Sequence, residues 1–322
     1  MNLFRSMAEI PSDFGPSALT IGNFDGVHRG HRAILKRVVA LARERGWKPS
    51  ALTFHPHPMS VVAPDRAPRL LTSPERRVQL MREEGIQQVL ILPFTEEVAH
   101  WPPEDFVRVL LAGRLGVRAV LVGDNFRFGH RHAGNVHLLA DLGRQFGFET
   151  ETIPAVSWRG RIVSSSAIRE ALLAGQVARA NRMLQHPYSV EGEVVHGRGV
   201  GARQTVPTLN LSTAADVVPA RGVYLTRTFA LDSPRQWNSI TNIGYRPTFG
   251  ASDALSIETF LLDPFDGEAP GRIRVEFLCR VREERRFENP EALKAQILRD
   301  VRVAQNYFRR TRTSWNCPVT RP

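Results

Sequence analysis

Cysteine is scarce in this chain: Cys279 and Cys317 are the only two among 322 residues. Two cysteines cannot build a disulfide framework, and no Cys/His cluster has the spacing of a zinc site. A reducing cytoplasm is the setting this leaves. Long hydrophobic runs are missing as well. Nothing approaches the roughly 20 apolar residues that span a bilayer, and Met1–Met7 lacks the apolar stretch of a secretory signal, so a membrane is not an expected partner. There is no Gly-x-x-x-x-Gly-Lys-Ser/Thr, which excludes a P-loop. There is no internal repeat, and no interleaving of aromatic and basic residues of the kind RNA-binding modules use.

What is present is an ordinary globular composition, 42% hydrophobic and 23% charged, at a length that favours two domains. The net charge of +11 points to an anionic partner. Nucleic acid and phosphorylated small molecules both fit that sign. The basic residues are spread along the chain, with only short runs such as Arg309-Arg310, and charge alone does not choose between them.

In the first half, apolar runs at Leu19–Ile21, Ala51–Phe54, Val89–Leu92, Ala119–Val122 and Thr150–Ile153 alternate with helical patterns. Those patterns cover His31–Arg45, Pro74–Glu84, Pro103–Leu115 and Val136–Phe146. Ser73-Pro74 is a cap followed by proline at the first helical position, and a glycine stops each helix. The alternation predicts a doubly wound α/β domain, a parallel sheet with helices on both faces. A last helical stretch, Ser166–Leu184, closes it, and Gln185-His186-Pro187 places the boundary, giving domains 1–186 and 187–322. Short alternating segments follow at Ser189–Val195, Val223–Phe229, Ser239–Ile243, Ser256–Leu262 and Arg272–Val281. They predict a small antiparallel barrel or sandwich. An amphipathic helix from Pro290 to about Phe308 comes next, then a frayed tail after Arg310.

Ligands of open α/β sheets bind beyond the carboxyl ends of the strands. Three segments there carry more polar groups than a plain connection needs. The first, residues 20–31, reads Thr-Ile-Gly-Asn-Phe-Asp-Gly-Val-His-Arg-Gly-His. His28 and His31 are three apart and share a face on a first helical turn. Unpaired backbone N–H groups and the positive end of the helix dipole lie at the same place. Gly22, Gly26 and Gly30 let a ligand come close to the backbone, so the turn offers donors and room for a phosphate chain. The second segment is Gly123-Asp124-Asn125-Phe126-Arg127-Phe128-Gly129. The third, Ser164-Ser165-Ser166-Ala167-Ile168-Arg169, has more serines than one helix cap requires, with Arg169 a turn in. A histidine pair alone more often caps a helix or faces solvent; three such loops on one sheet make a nucleoside triphosphate site the expectation. Thr53-Phe54-His55-Pro56-His57-Pro58 follows another strand end, where His57 lines a pocket or is exposed. Gly197-x-Gly199-x-Gly201 is a weak pattern by itself.

In this order the motifs resemble the bacterial bifunctional riboflavin kinase/FMN adenylyltransferases, or FAD synthetases, from about Ala18 to Phe308. Gly22 through His31 is similar without a gap to the first signature of that family's nucleotidyltransferase module. The Asn125 loop and Ser164–Arg169 are similar to its later ATP-contacting motifs. His196-Gly197 through Pro207-Thr208-Leu209-Asn210 resembles the kinase module's glycine loop and Pro-Thr-Ala-Asn motif. Asn242–Phe249, Ile257-Glu258-Thr259, Arg282-Glu283 and the Gln296/Ile297/Asp300 helix are also family-like. Without the resemblance, Thr208 and Asn210 read as turn residues and Glu258 as a solvated strand position.

The resemblance implies a Rossmann-like nucleotidyltransferase domain followed by a riboflavin kinase β-barrel with a C-terminal helix. It implies phosphorylation of riboflavin by ATP, then adenylyl transfer from ATP to FMN, with Mg²⁺ at both sites; ATP, riboflavin and FMN are the partners, and nucleic acid is not. For adenylyl transfer it implies ATP contacts at Gly22, Asn23, Phe24, Asp25, Asn125, Arg127, Ser164, Ser165, Ser166 and Arg169, with His28 and His31 as the catalytic pair. For the kinase it implies ATP contacts at Gly197, Gly199, Gly201, Thr208 and Asn210, the last two also holding Mg²⁺, and Glu258 as general base. The departures lie in the kinase loop. Val200-Gly201-Ala202 stands where the family has Arg-Gly-Arg, Gln204-Thr205-Val206 where it has Leu-Gly-Phe, and Leu209 where it has Ala; Arg198 and Arg203 lie close by. Two other readings stay open at this point: an adenylyltransferase with a kinase-inactive barrel, and a basic RNA-binding protein using the α/β domain as scaffold.

Overall fold

The structure, a computed structural model, describes residues 1–195, 208–246, 254–265, 267–285 and 287–311. The chain forms two compact units, Met1–Ser165 and Ser166–Pro322.

The first unit is built on six parallel strands: β1 (Asn2–Phe4), β2 (Ser17–Ile21), β3 (Lys48–His55), β4 (Gln88–Pro93), β5 (Val117–Gly123) and β6 (Glu149–Ile153). Their order across the sheet is β1-β4-β3-β2-β5-β6. Every residue of β2 is buried, and so are residues 88–92 of β4. Such continuous apolar runs are what a sheet covered on both faces demands. Their residues alternate between the two layers. Leu19, Ile21, Leu90 and Leu92 pack with Phe106, Leu110 and Leu139. Ala18, Val89 and Ile91 pack on the other side with Leu35, Val38 and Met81. Each fully buried Leu or Ile contributes about 1.5–3 kcal/mol.

The helices of this unit are α1 (Arg29–Arg45), α2 (Pro74–Glu83), a π-helix α3 (Phe106–Arg114) and α4 (Val136–Phe146). Helix α1 buries Leu35, Val38, Leu41 and Ala42, one stripe at helical spacing. It stops at Gly46, and α4 stops at Gly147, both in the left-handed region that glycine adopts without strain. The sequence predicts one α-helix over Pro103–Leu115. The structure has a single turn, Pro103–Asp105, and then the wider π form, closed by Leu115 N–H donating to Leu110 O at 2.9 Å. Strand β1 was not expected; its three residues are too few for a period.

The second unit opens with two helices, α5 (Ser165–Leu173) and α6 (Val177–Leu184), where the sequence predicts one. Gly175, at φ 71°, breaks the run. Asn181 of α6 ties that helix to the strands after it: its Nδ2 donates to Phe277 O at 2.8 Å and its Oδ1 accepts from Tyr188 N–H at 2.8 Å. Both bonds lie within the second compact unit. The strands β7 (Tyr188–Val195), β8 (Thr208–Ser212), β9 (Gly222–Ala230), β10 (Gln236–Arg246), β11 (Ala254–Leu261) and β12 (Arg272–Arg282) close into an antiparallel barrel in the order β7-β8-β11-β10-β9-β12. The barrel excludes the sandwich alternative. Inside it, Thr226, Thr228, Ser239, Thr241 and Thr259 are fully buried, and their hydroxyls bond one another at 2.8–2.9 Å. Helix α7 (Pro290–Arg310) follows. No helix among the described residues is long and apolar enough to cross a membrane.

Candidate functional site

The sheet order reverses between β2 and β5, and that reversal opens a crevice at the carboxyl ends of those strands. The turn leaving β2 lies there. Gly22 N–H donates to Leu52 O at 3.1 Å, and Thr53 Oγ1 donates to Asn23 O at 3.2 Å, so β3 holds the start of the turn. Phe24 and Val27 have φ of 48° and 40°. A β-branched residue in that region costs of order 1–3 kcal/mol, and the surroundings hold it there. Asp25 is the main restraint. Its Oδ1 accepts from Leu71 N–H (2.8 Å), Thr72 N–H (3.2 Å) and Thr72 Oγ1 (3.4 Å), while Thr72 Oγ1 accepts from Gly26 N–H at 3.1 Å. Ser165 Oγ donates to Asp25 O at 2.9 Å and so reaches the same turn. Asp25→Ala removes the acceptor of three hydrogen bonds, an expected loss of about 3 kcal/mol, or roughly 6–12 °C in the melting temperature of the first unit. Calorimetry checks this, with the second unit's transition as the internal reference.

His28 is the N-cap of α1 rather than a member of its first turn. Its Nδ1 accepts from Gly30 N–H at 3.2 Å and His31 N–H at 3.4 Å. Two of the backbone donors expected to be open for a phosphate are therefore occupied. With Nδ1 accepting, the neutral ring carries its proton on Nε2, and that N–H becomes the donor the turn can present. The His28 and His31 rings stack at 3.6 Å between centroids, and Phe24 meets His31 edge-on at 5.2 Å. Burial pushes the His28 pKa down to about 4. Burial, with His28 and Arg77 beside it, holds His31 well below its ordinary value. Both rings are neutral at pH 7.

The sign of the pH dependence follows. A histidine whose folded pKa is depressed binds fewer protons than in the unfolded chain, so its stabilising contribution is complete above pH 6.5 and is lost as pH falls toward about 4. For His28 that amounts to about 3 kcal/mol. Urea unfolding of the first unit is expected to show this loss between pH 6.5 and 4.

Asn125 and His57 stand beside this turn and α1. Asn125 Oδ1 and Ile34 Cδ1 of α1 lie 3.4 and 3.9 Å from where a Cβ on Gly123 would stand, which places the amide beside the first turns of α1. Arg127 is exposed, and its Nη1 donates to Phe126 O at 3.2 Å. Ser164 and Ser165 end the first unit, whereas Ser166 and Arg169 belong to the second, where Arg169 Nη1 donates to Ser166 Oγ at 3.4 Å. His57 lines the turn: its Nε2 is 3.0 Å from Asn23 Nδ2, and its Nδ1 accepts from Met59 N–H at 3.1 Å. Sequence reading missed Arg77. This guanidinium on α2 is 2% exposed, and its Nη1 donates to Thr53 Oγ1 at 3.1 Å and to Phe54 O at 3.4 Å.

In the barrel, Thr208 and Asn210 are strand residues rather than turn residues. Cross-strand register sets Asn210 opposite Glu258, and Glu258 opposite Asn242 on its other side. Three polar side chains thus form one row across β8, β11 and β10. Residues facing each other across an antiparallel pair share a face, so the row is fixed by the barrel wall itself. Ser256 Oγ donates to Glu258 Oε1 at 3.0 Å. Leu209, on the alternate face, is buried opposite Thr259. The departure from Ala at this position therefore sits in the barrel interior. Gly197, Gly199, Val200, Gly201, Ala202 and Thr205 lie outside the described residues. The hydroxyl, amide and carboxylate of Thr208, Asn210 and Glu258 are hard oxygen donors, which fit a hard divalent cation shared with phosphate oxygens. Among the described residues no three His, Cys, Asp or Glu side chains gather to hold a metal by themselves.

Comparison with known proteins assigns each unit. Residues 10–167 match the FAD synthetase family and residues 184–308 the riboflavin kinase family. The bifunctional riboflavin kinase/FMN adenylyltransferase of Escherichia coli K12 is 36% identical over 290 residues, covering 90% of this chain and 92% of its own. That of Pseudomonas fluorescens is 36% identical over 307 residues, covering 95% and 97%. A solved structure described as a macrolide-efflux protein from Streptococcus pneumoniae superposes with a TM-score of 0.83 over 94% of this chain and 98% of its own. At 24% identity that likeness speaks to the fold alone.

Proposed function

The chain belongs to the bifunctional riboflavin kinase/FMN adenylyltransferase family, and from that premise we propose how its two units divide the work. Both activities are present: ATP phosphorylates riboflavin to FMN, and a second ATP adenylylates FMN to FAD. The match of the barrel to riboflavin kinase and the relatives' coverage of both units favour this reading over a kinase-inactive barrel or an RNA-binding scaffold. Both families use ATP and generally a divalent metal. We take that metal to be Mg²⁺, the compartment to be the cytoplasm, and the functional domains to run over 1–186 and 187–322.

In the barrel, Glu258 is the general base. It takes the proton of the terminal ribityl hydroxyl while that oxygen attacks the γ-phosphorus, the bond from the γ-phosphorus to the bridging oxygen breaks, and ADP leaves. Thr208 and Asn210 would hold the metal, whose chemistry is to neutralise charge on the phosphates. In the α/β unit, a phosphate oxygen of FMN attacks the α-phosphorus of ATP, and the bond to the β-phosphate breaks to release pyrophosphate. FMN arrives as an anion, so no protein nucleophile is needed and catalysis is alignment and charge stabilisation. The neutral His28 and His31 rings present N–H donors to the phosphates, with Asn125, Ser164 and Ser165 completing the ATP contacts of this unit and Asp25 keeping the turn in place.

The observation that carries this reading is the stacked, neutral histidine pair at the sheet's switch point, in a unit separate from the Asn210–Glu258–Asn242 row. Incubating the protein with riboflavin, ATP and Mg²⁺ and separating the flavins by chromatography tests it. FMN and then FAD are expected; FAD from supplied FMN only would remove the kinase.

A further inference from the structure

The two histidines of the nucleotide turn are uncharged, yet the ligand they receive carries several negative charges. A cation is present behind them. Arg77 is 2% exposed and stands within electrostatic reach of His31, which it helps to keep neutral. Its Nη1 donates to Thr53 Oγ1, and Thr53 Oγ1 in turn donates to Asn23 O, so the guanidinium is one side chain removed from the turn. Its Nε is buried with no hydrogen-bond partner among the described residues, and no carboxylate stands within ion-pair distance of it there. Asp25, whose Oδ1 receives the donors of residues 71 and 72, and Glu75 act on it electrostatically without forming an ion pair. Burying a cation without an ion-pair partner is costly, and a structure keeps one where an anion will complete it.

We propose that Arg77 supplies the positive charge that receives the polyphosphate of ATP and stabilises the pyrophosphate as it departs, acting as a positioning residue through Thr53 and Asn23, while His28 and His31 act as hydrogen-bond donors. The inference rests on adenylyl transfer taking place at the His28/His31 turn. A guanidinium at this depth acts through the field it casts at the turn and through the hydrogen-bonded line to Asn23. Its contribution therefore scales with the charge of the ligand, which separates it from a packing role.

The test measures adenylyl transfer, with pyrophosphate and adenosine as inhibitors, in the full chain carrying Arg77→Gln or Arg77→Lys. Riboflavin phosphorylation by the same samples serves as the control for folding. Arg77→Gln keeps hydrogen-bonding atoms and removes the charge. It is expected to raise KM for ATP and to weaken pyrophosphate inhibition by about tenfold or more, with adenosine inhibition and riboflavin phosphorylation unchanged. Arg77→Lys is expected to restore most of the pyrophosphate inhibition. Equal losses for pyrophosphate and adenosine, or no change for either, would overturn the proposal. The wild-type protein gives a readout that depends on no variant. Histidine ring ¹⁵N shifts with pyrophosphate bound at pH 7 are expected to show both rings neutral, and an imidazolium at either one would transfer the charge to the histidines and sink the idea. If His31→Ala instead leaves FAD formation intact, the site itself is misplaced; if it abolishes FAD while Arg77→Gln changes nothing, only the charge assignment fails.

Discussion

His31→Ala is expected to stop FAD formation while FMN accumulates. The substitution removes one member of a ring stack 3.6 Å apart and, on the proposed reading, one N–H donor to the phosphates. Loss of one preorganised donor to developing charge lowers turnover by about 10²–10³-fold, and loss of the stack adds to that. The backbone N–H of residue 31 still donates to His28 Nδ1, so the N-cap of α1 survives and the unit is expected to fold. Supplying riboflavin and ATP and following both products over time makes the result direct. FMN should rise above its wild-type level and remain, with no FAD following it. An arrest of both reactions in folded protein would show that the sites do not work independently.

The complementary result is expected from Glu258→Gln. The amide keeps the shape of the side chain and a hydrogen-bonding oxygen for Ser256 Oγ, but it cannot accept the ribityl proton. General-base removal costs about 10²–10⁴-fold. FMN formation from riboflavin should therefore fall to near background, while FMN added directly is still converted to FAD at the wild-type rate. A loss of FAD formation from supplied FMN would place Glu258 in a role other than proton acceptor for the kinase.

These two sites were legible in the sequence to different depths, for physical reasons. Helix Val136–Phe146 matches its expected bounds because Asn135 caps one end and Gly147 stops the other. The turn at 22–31 was readable because glycine, aspartate and histidine in that order have few uses other than a close backbone approach. The occupation of the Gly30 and His31 N–H groups was not readable, since it depends on the χ angles of His28. Strand Thr208–Ser212 was hidden by Ser, Thr and Asn, although Leu209 and Leu211 alternate as a half-buried strand requires. Arg77 was overlooked because arginines on a helix are ordinarily solvated. Yet Arg77, Leu80 and Met81 sit at i, i+3 and i+4, which puts a cation in the apolar stripe of α2, and all three are buried. A charge at a core-facing helical position was the available signal. The break at Gly175 carried a signal too, but the pattern around it stays helical on both sides.

The row of Asn210, Glu258 and Asn242 has a consequence for how this barrel tolerates change. Strand side chains alternate with a period of two, so a slip of one residue in β11 would turn Glu258 inward and bring Ile257 or Thr259 to the wall. In an open sheet such a slip disturbs one or two ladders; in a closed barrel every strand is paired on both sides, and no free edge can absorb the offset. The spacing of Glu258, the proposed general base, from Asn210 and Asn242 is thus a property of the whole ring of hydrogen bonds, belonging to no single loop. Substitutions outside the paired strands can therefore accumulate without altering the spacing of Asn210, Glu258 and Asn242.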